Sequence, residues 1–294
     1  MDSFSKTNWN FNTGVGGWMN DNNRISMEGD KKMLRSVKEL YNYVLEAKDG
    51  EIGRCKEFLF DDQYWVIRYM VADTGKWLPG RKVLISPISL GEPDWDSKLF
   101  PVRLTKRQID EAPGLDEDAP ISRQYEISWT QYYGWPYYWD GIDTWGALSY
   151  PVALYDAKIP ENQTIKVDSG DDHLRSVDEV TGYHIQATDD EIGHVENFII
   201  DDKTWIIRYM VVDTRNWLPG RKVLVTPVWI TSVDWAESKV SVDLTREQVK
   251  DSPEYDPSAP VNREYEVRLY DFYGRPKYWI QTLPSGMPEA DELQ

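Results

Sequence analysis

The sequence predicts a mainly β protein: two small antiparallel β-barrels with short helical appendices, arising by internal duplication. Three observations predict it. The first is a repeat. Asp61-Asp62 recurs as Asp201-Asp202, and Arg68-Tyr69-Met70-Val71 as Arg208-Tyr209-Met210-Val211. Trp77-Leu78-Pro79-Gly80-Arg81-Lys82-Val83-Leu84 recurs as Trp217-Leu218-Pro219-Gly220-Arg221-Lys222-Val223-Leu224. Trp65 matches Trp205 and Trp139 matches Trp279, a constant offset of 140 positions, and no gap is needed between 34–139 and 174–279. Nearly half of those positions are identical. Solenoid units repeat every 20–50 residues or about that, so a unit of this length is a whole domain. The second observation is that apolar runs are short and bounded by Asp, Gly and Pro. The third is that the helical signals are brief and capped.

Each copy opens on Ser36-Val37-Lys38-Glu39 or Ser176-Val177-Asp178-Glu179. Ser with Glu three residues later is a capping box and predicts one helical turn. Tyr43 to Ala47 reads as a strand that enters the Lys48-Asp49-Gly50 turn, and a second strand runs from Ile52-Gly53 to Phe60. Asp61-Asp62 is a turn, because Asp tolerates turn geometry. The run from Trp65 to Val71 is apolar on both faces except at Arg68, as expected of a strand covered on two sides. Arg81 to Leu90 and Leu99 to Leu104 complete the strands. Thr105 caps a short helix that Pro113 ends. Ser122, or Asn262 in the second copy, caps a last helix with Tyr125, Trp129 and Tyr132 along one face. Gly134 and Pro136 stop it.

These signals divide the chain into an arm over 1–30, a first repeat over 31–139, a linker over 140–170, a second repeat over 171–280 and an acidic tail over 281–294. The arm is rich in Asn, Gly and Asp without periodicity, which predicts flexibility.

The formal net charge is −17. Nucleic-acid phosphates and anionic membranes would repel such a chain, so a nucleic-acid partner is not expected. No apolar stretch approaches the roughly 18–20 residues of a membrane helix, so no membrane insertion is expected. The N-terminal residues lack the pattern of a signal peptide. Cys55 is the one cysteine, which fits a reducing compartment, and a cytoplasmic location is predicted. Val195 stands in the equivalent place, so Cys55 reads as a small hydrophobe in a strand.

Gly53, the Asp-Asp turn, the Arg-Tyr-Met-Val strand and the Arg-Lys-Val-Leu-Ile-Ser-Pro strand together resemble the PRC-barrel family. That fold occurs in the cytoplasmic part of the photosynthetic reaction-centre H subunit and in the ribosome maturation factor. The longer motif from Asp73-Thr74 to Leu84 is similar to a bacterial branch of stand-alone, often tandem, members. The resemblance covers both repeats. It implies the fold and a soluble module that binds or organises another macromolecule, another protein being the expected partner, with room for a homo-oligomer. The membrane helix of an H subunit is missing from this chain, so its role does not carry over whole. Two other functions stand beside this one: a carbohydrate-binding or hydrolytic protein using exposed Trp and carboxylates, and a proton-linked or electron-transport accessory like the H subunit.

No catalytic, cofactor-binding or metal residues are assigned. His173, His184 and His194 have no counterparts in the first copy, where Met33, Val44 and Arg54 stand, and they lack zinc spacing. No phosphate-binding glycine loop occurs. The candidate binding or inter-repeat loops are Trp77, Leu78, Pro79, Gly80, Arg81 and Lys82 with Trp217, Leu218, Pro219, Gly220, Arg221 and Lys222. Each places an aromatic beside two cations at a predicted turn. Four cations and two tryptophans are unusual on so acidic a surface, which favours packing between the repeats. Arg68 and Arg208 interrupt apolar strands and are expected to pair with a carboxylate of a neighbouring element, because a lone buried charge is costly.

Overall fold

The computed structural model describes residues 34–157, 173–214 and 220–280. The predicted arm, the acidic tail, residues 158–170 of the linker, and Trp217, Leu218 and Pro219 lie outside the described residues. The described residues belong to one compact unit. They are mainly β, in two mixed sheets.

The first copy contributes β1 (Leu34–Ser36), α1 (Val37–Leu40), β2 (Val44–Ala47), β3 (Gly50–Asp61), β4 (Val66–Asp73), β5 (Val83–Ile85) and β6 (Leu99–Pro101), then α2 (Lys106–Asp110) and α3 (Arg123–Tyr133). The second contributes β7 (Leu174–Ser176), α4 (Val177–Val180), β8 (His184–Gln186), β9 (Glu191–Asp201), β10 (Ile207–Asp213), β11 (Lys222–Val225), β12 (Ile230–Asp234), β13 (Lys239–Val242), α5 (Arg246–Asp251) and α6 (Arg263–Tyr273).

The sheets are open paths, β5-β4-β3-β2-β6 and β11-β10-β9-β8-β13-β12, and not the closed antiparallel barrels expected. β6 runs parallel to β2, and β13 parallel to β8. Each sheet also takes a strand from the other copy. β7 lies on β3, with Leu59 opposite Ser176, Phe60 opposite Arg175 and Asp61 opposite Leu174. β1 lies on β9, with Ile199 opposite Ser36, Ile200 opposite Arg35 and Asp201 opposite Leu34. The two sets of pairs are the same set displaced by the repeat offset. The reason lies in strand length. β2 covers only the first residues of β3, and the bare remainder of that edge would leave backbone groups without partners. The exchanged strand covers it.

Several other contacts between the copies repeat in the same way. The N–H of Ile67 donates to the carbonyl of Trp205 at 2.9 Å, and that of Ile207 to Trp65 at 2.7 Å. Trp65 packs on Phe198, and Trp205 on Phe58. Trp65 and Trp205 are buried, but they sit in the turn before β4 and β10 with φ of 56° and 61°, not within the strands. That left-handed backbone is uncommon for a bulky residue, and here it turns each indole into the junction. Arg35 stacks on Trp95 and approaches Asp202 at 3.7 Å; Arg175 stacks on Trp235 and meets Asp62 at 3.0 Å. The Nδ2 of Asn197 donates to Ser36, and the hydroxyl of Ser176 donates to Glu57. Ser36 therefore does not cap α1 with its side chain, whereas Ser176 caps α4.

Several other local signals operate as expected. Thr105 and Gln108 form a capping box on α2. Ser122 caps α3, and Gly134 ends it in the left-handed conformation. Tyr132 is exposed, so the buried face of α3 is Glu126, Ile127, Trp129 and Thr130. Gly53 and Gly193 have φ of 135° and 137°, and a Cβ on either would collide with the carbonyl of Asp73 or Asp213. Only glycine lets the long strand bend so closely past its neighbour. Cys55 is buried in β3, and burial pushes its thiol up. Part of the linker is folded: Trp145 is fully buried, and a 3₁₀ turn spans Pro151–Leu154.

Candidate functional site

The Trp-Leu-Pro-Gly-Arg-Lys loop of the first copy docks on its own copy and not on the junction. Arg81 donates to the carbonyls of Asp110 at 2.7 Å and Ala112 at 2.5 Å. These belong to the C-terminal end of α2, where carbonyls lack helical partners and attract a cation. Lys82 donates to the carbonyl of Ala119 at 2.8 Å. Trp77 is half-buried, with the Lys106 ammonium 4.8 Å above its ring. Gly80 is exposed at the tip. In the second copy Arg221 donates to the carbonyl of Ser252, the position equivalent to Ala112, and Lys222 pairs with Glu196 at 2.6 Å. Arg81, Lys82, Arg221 and Lys222 are thus each engaged within their own copy.

Arg68 finds its carboxylate in Asp61 at 3.2 Å, at the end of the adjacent strand. Asp61 also accepts the N–H groups of Gln63 and Tyr64, so one side chain shapes the turn and neutralises the arginine. The guanidinium lies over Tyr138 at 4.0 Å and Trp145 at 4.7 Å, and donates to the carbonyl of Thr144. Arg208 repeats the pair with Asp201 at 3.3 Å and stacks over Tyr278 at 4.2 Å. Both arginines are thus paired within the fold.

The same stack leads to a buried carboxylate that sequence reasoning passed over. Glu126 on α3 is fully buried. Tyr69 donates to it at 2.9 Å and Tyr138 at 2.8 Å; Arg123 and His173 each lie 3.0 Å away. Burial, aided by the carboxylate's charge, holds both phenols well above their ordinary range, so they stay protonated donors. Glu266 is held in the same way by Tyr209, Tyr278 and Arg263. The available signal was the repeat itself: Arg123, Tyr125 and Glu126 recur as Arg263, Tyr265 and Glu266. Each carboxylate has its charge matched by its neighbours, which is the arrangement of a structural core.

A cleft of 260 Å³ opens at the junction. Its apolar walls include Leu90, Trp95, Phe100, Ile200 and Trp205, and Tyr150 and Val152 from the linker form part of its lip. Among the described residues no group of His, Cys, Asp and Glu is placed to hold a metal ion, and no helix is long and apolar enough to cross a membrane. His184 is exposed and lies 3.1 Å from Glu191.

No family model matches the chain, and no curated protein matches it.

Proposed function

We propose that the chain is a non-catalytic scaffold or macromolecule-binding protein of the PRC-barrel type, formed by duplication of one domain and working in the cytoplasm. Its partner is a protein with a cationic surface. The observation that carries this reading is the reciprocal strand exchange. Two related halves that each complete the other's sheet hold two related faces at a fixed spacing, which suits a platform. The charge of −17 supplies the attraction, because an acidic surface steers a cationic one. The conspicuous arginines, Arg68, Arg81, Arg208 and Arg221, are used within the fold.

The experiment is capture from a lysate of the cells that make the protein, on immobilised full-length chain, with elution by a salt gradient. One protein retained in near-stoichiometric amount and released as ionic strength rises supports the proposal. Retention of nothing beyond what heat-denatured chain retains, or retention indifferent to salt, overturns it.

A further inference from the structure

We propose that the junction cleft is a binding site for a small, flat, apolar molecule of two fused rings. The inference is independent of the scaffold reading, and either can fail alone.

Size is the first reason. An apolar cavity of about 150 Å³ holds one benzene ring; at 260 Å³ this cleft has room for a bicyclic one. Construction is the second. Three separate segments build the cleft: the 90–95 loop with β6 of the first copy, the turn from Ile200 to Trp205 of the second, and the linker at Tyr150 and Val152. Ligand sites favour such interfaces, with apolar walls and a few polar groups at the edge. Tyr150 and Val152 are each 48 % exposed at the lip, two apolar side chains kept beside an apolar opening.

The polar groups decide the ligand class. Lys203 pairs with Glu92 at 3.0 Å, and Asp202 with Arg35 at 3.7 Å. Arg103 donates to the carbonyls of Ile88 and Val152 and stacks on Tyr155. A sugar would need several hydrogen bonds for its hydroxyls, and each one left unmade is costly. The rim's charges are already matched. A flat apolar ring asks for none of these groups.

The test is titration of indole into the ¹⁵N-labelled full chain, read on the tryptophan Nε–H resonances. Saturable one-to-one binding that shifts the signals of Trp95 and Trp205 is expected. Val152→Trp, a change at the exposed lip, should fill the space and weaken binding about ten-fold or more, roughly the effect of 1.4 kcal/mol. If that variant loses thermal stability, Lys203→Trp on the opposite rim serves in its place. Absence of saturation, equal affinity in a stable lip variant, or saturable binding of maltotriose with no response to indole overturns the proposal.

Discussion

The indole N–H of Trp145 donates to the backbone carbonyl of Thr204 at 2.8 Å, tying the linker to the β9–β10 turn of the other copy. The ring is fully buried and lies 4.7 Å from the Arg68 guanidinium. Trp145→Ala removes a large buried group, so we expect a loss of about 3–5 kcal/mol. Urea unfolding followed by circular dichroism measures it. Trp145→Phe keeps much of the packing and should lose less. A loss below about 0.5 kcal/mol for the alanine variant, within the range of ordinary surface changes, contradicts this packing.

Glu126 and Glu266 should differ in cost although each accepts from two phenols and pairs with an arginine three residues before it. Arg123 beside Glu126 has a side chain 12 % exposed, whereas Arg263 beside Glu266 is 43 % exposed. Water can replace the lost carboxylate at Arg263 but not at Arg123. Glu126→Ala leaves two phenols and a buried cation without their acceptor, a loss of about 3–5 kcal/mol. Glu266→Ala should cost less, and Glu126→Gln less than Glu126→Ala. Equal losses in the two copies would contradict the role given to burial.

Tyr69, Tyr138 and Tyr209 have phenol pKa values raised by burial, and Tyr125, Tyr255 and Tyr273 are likewise pushed up, the last three to about 12. The unfolded chain ionises near its ordinary phenol value of 10.0, so it loses protons before the folded chain does. Their contribution is therefore fully present below about pH 10 and falls as pH rises further. Absorbance at 295 nm should show the exposed tyrosines ionising first. The buried ones should follow in one cooperative step with loss of circular dichroism. A single smooth ionisation near pH 10 with the fold intact would contradict this.

Local elements were legible because their causes are local. Thr105 and Gln108 cap α2, Gly134 ends α3, and Asp61 shapes its turn through hydrogen bonds two and three residues away. The constant offset was legible, and the exchanged strands pair at positions related by it. The exchanged strands were not legible. Leu34-Arg35-Ser36 is too short to show a period, and its partners on β9 are more than 160 positions distant. Glu126 was missed for a related reason: a glutamate in a helix's first turn ordinarily faces water and favours the dipole. Tyr69, Tyr138 and His173, arriving from elsewhere, join Arg123 on the same helix to make burial tolerable. The role of the Trp-Leu-Pro-Gly-Arg-Lys motif was not legible either, because an arginine bound to carbonyls at a helix end, as Arg81 is, has the same sequence as one offered to a partner.

The reciprocal exchange of β1 and β7 is tested most directly by cutting the chain between the copies. A protease site placed within residues 158–172 of the full-length protein allows cleavage after folding. If each copy completes the other's sheet, the two fragments should co-elute from a sizing column as one species of unchanged volume. They should separate only in denaturant. Elution of two independent folded fragments without denaturant would contradict the exchange.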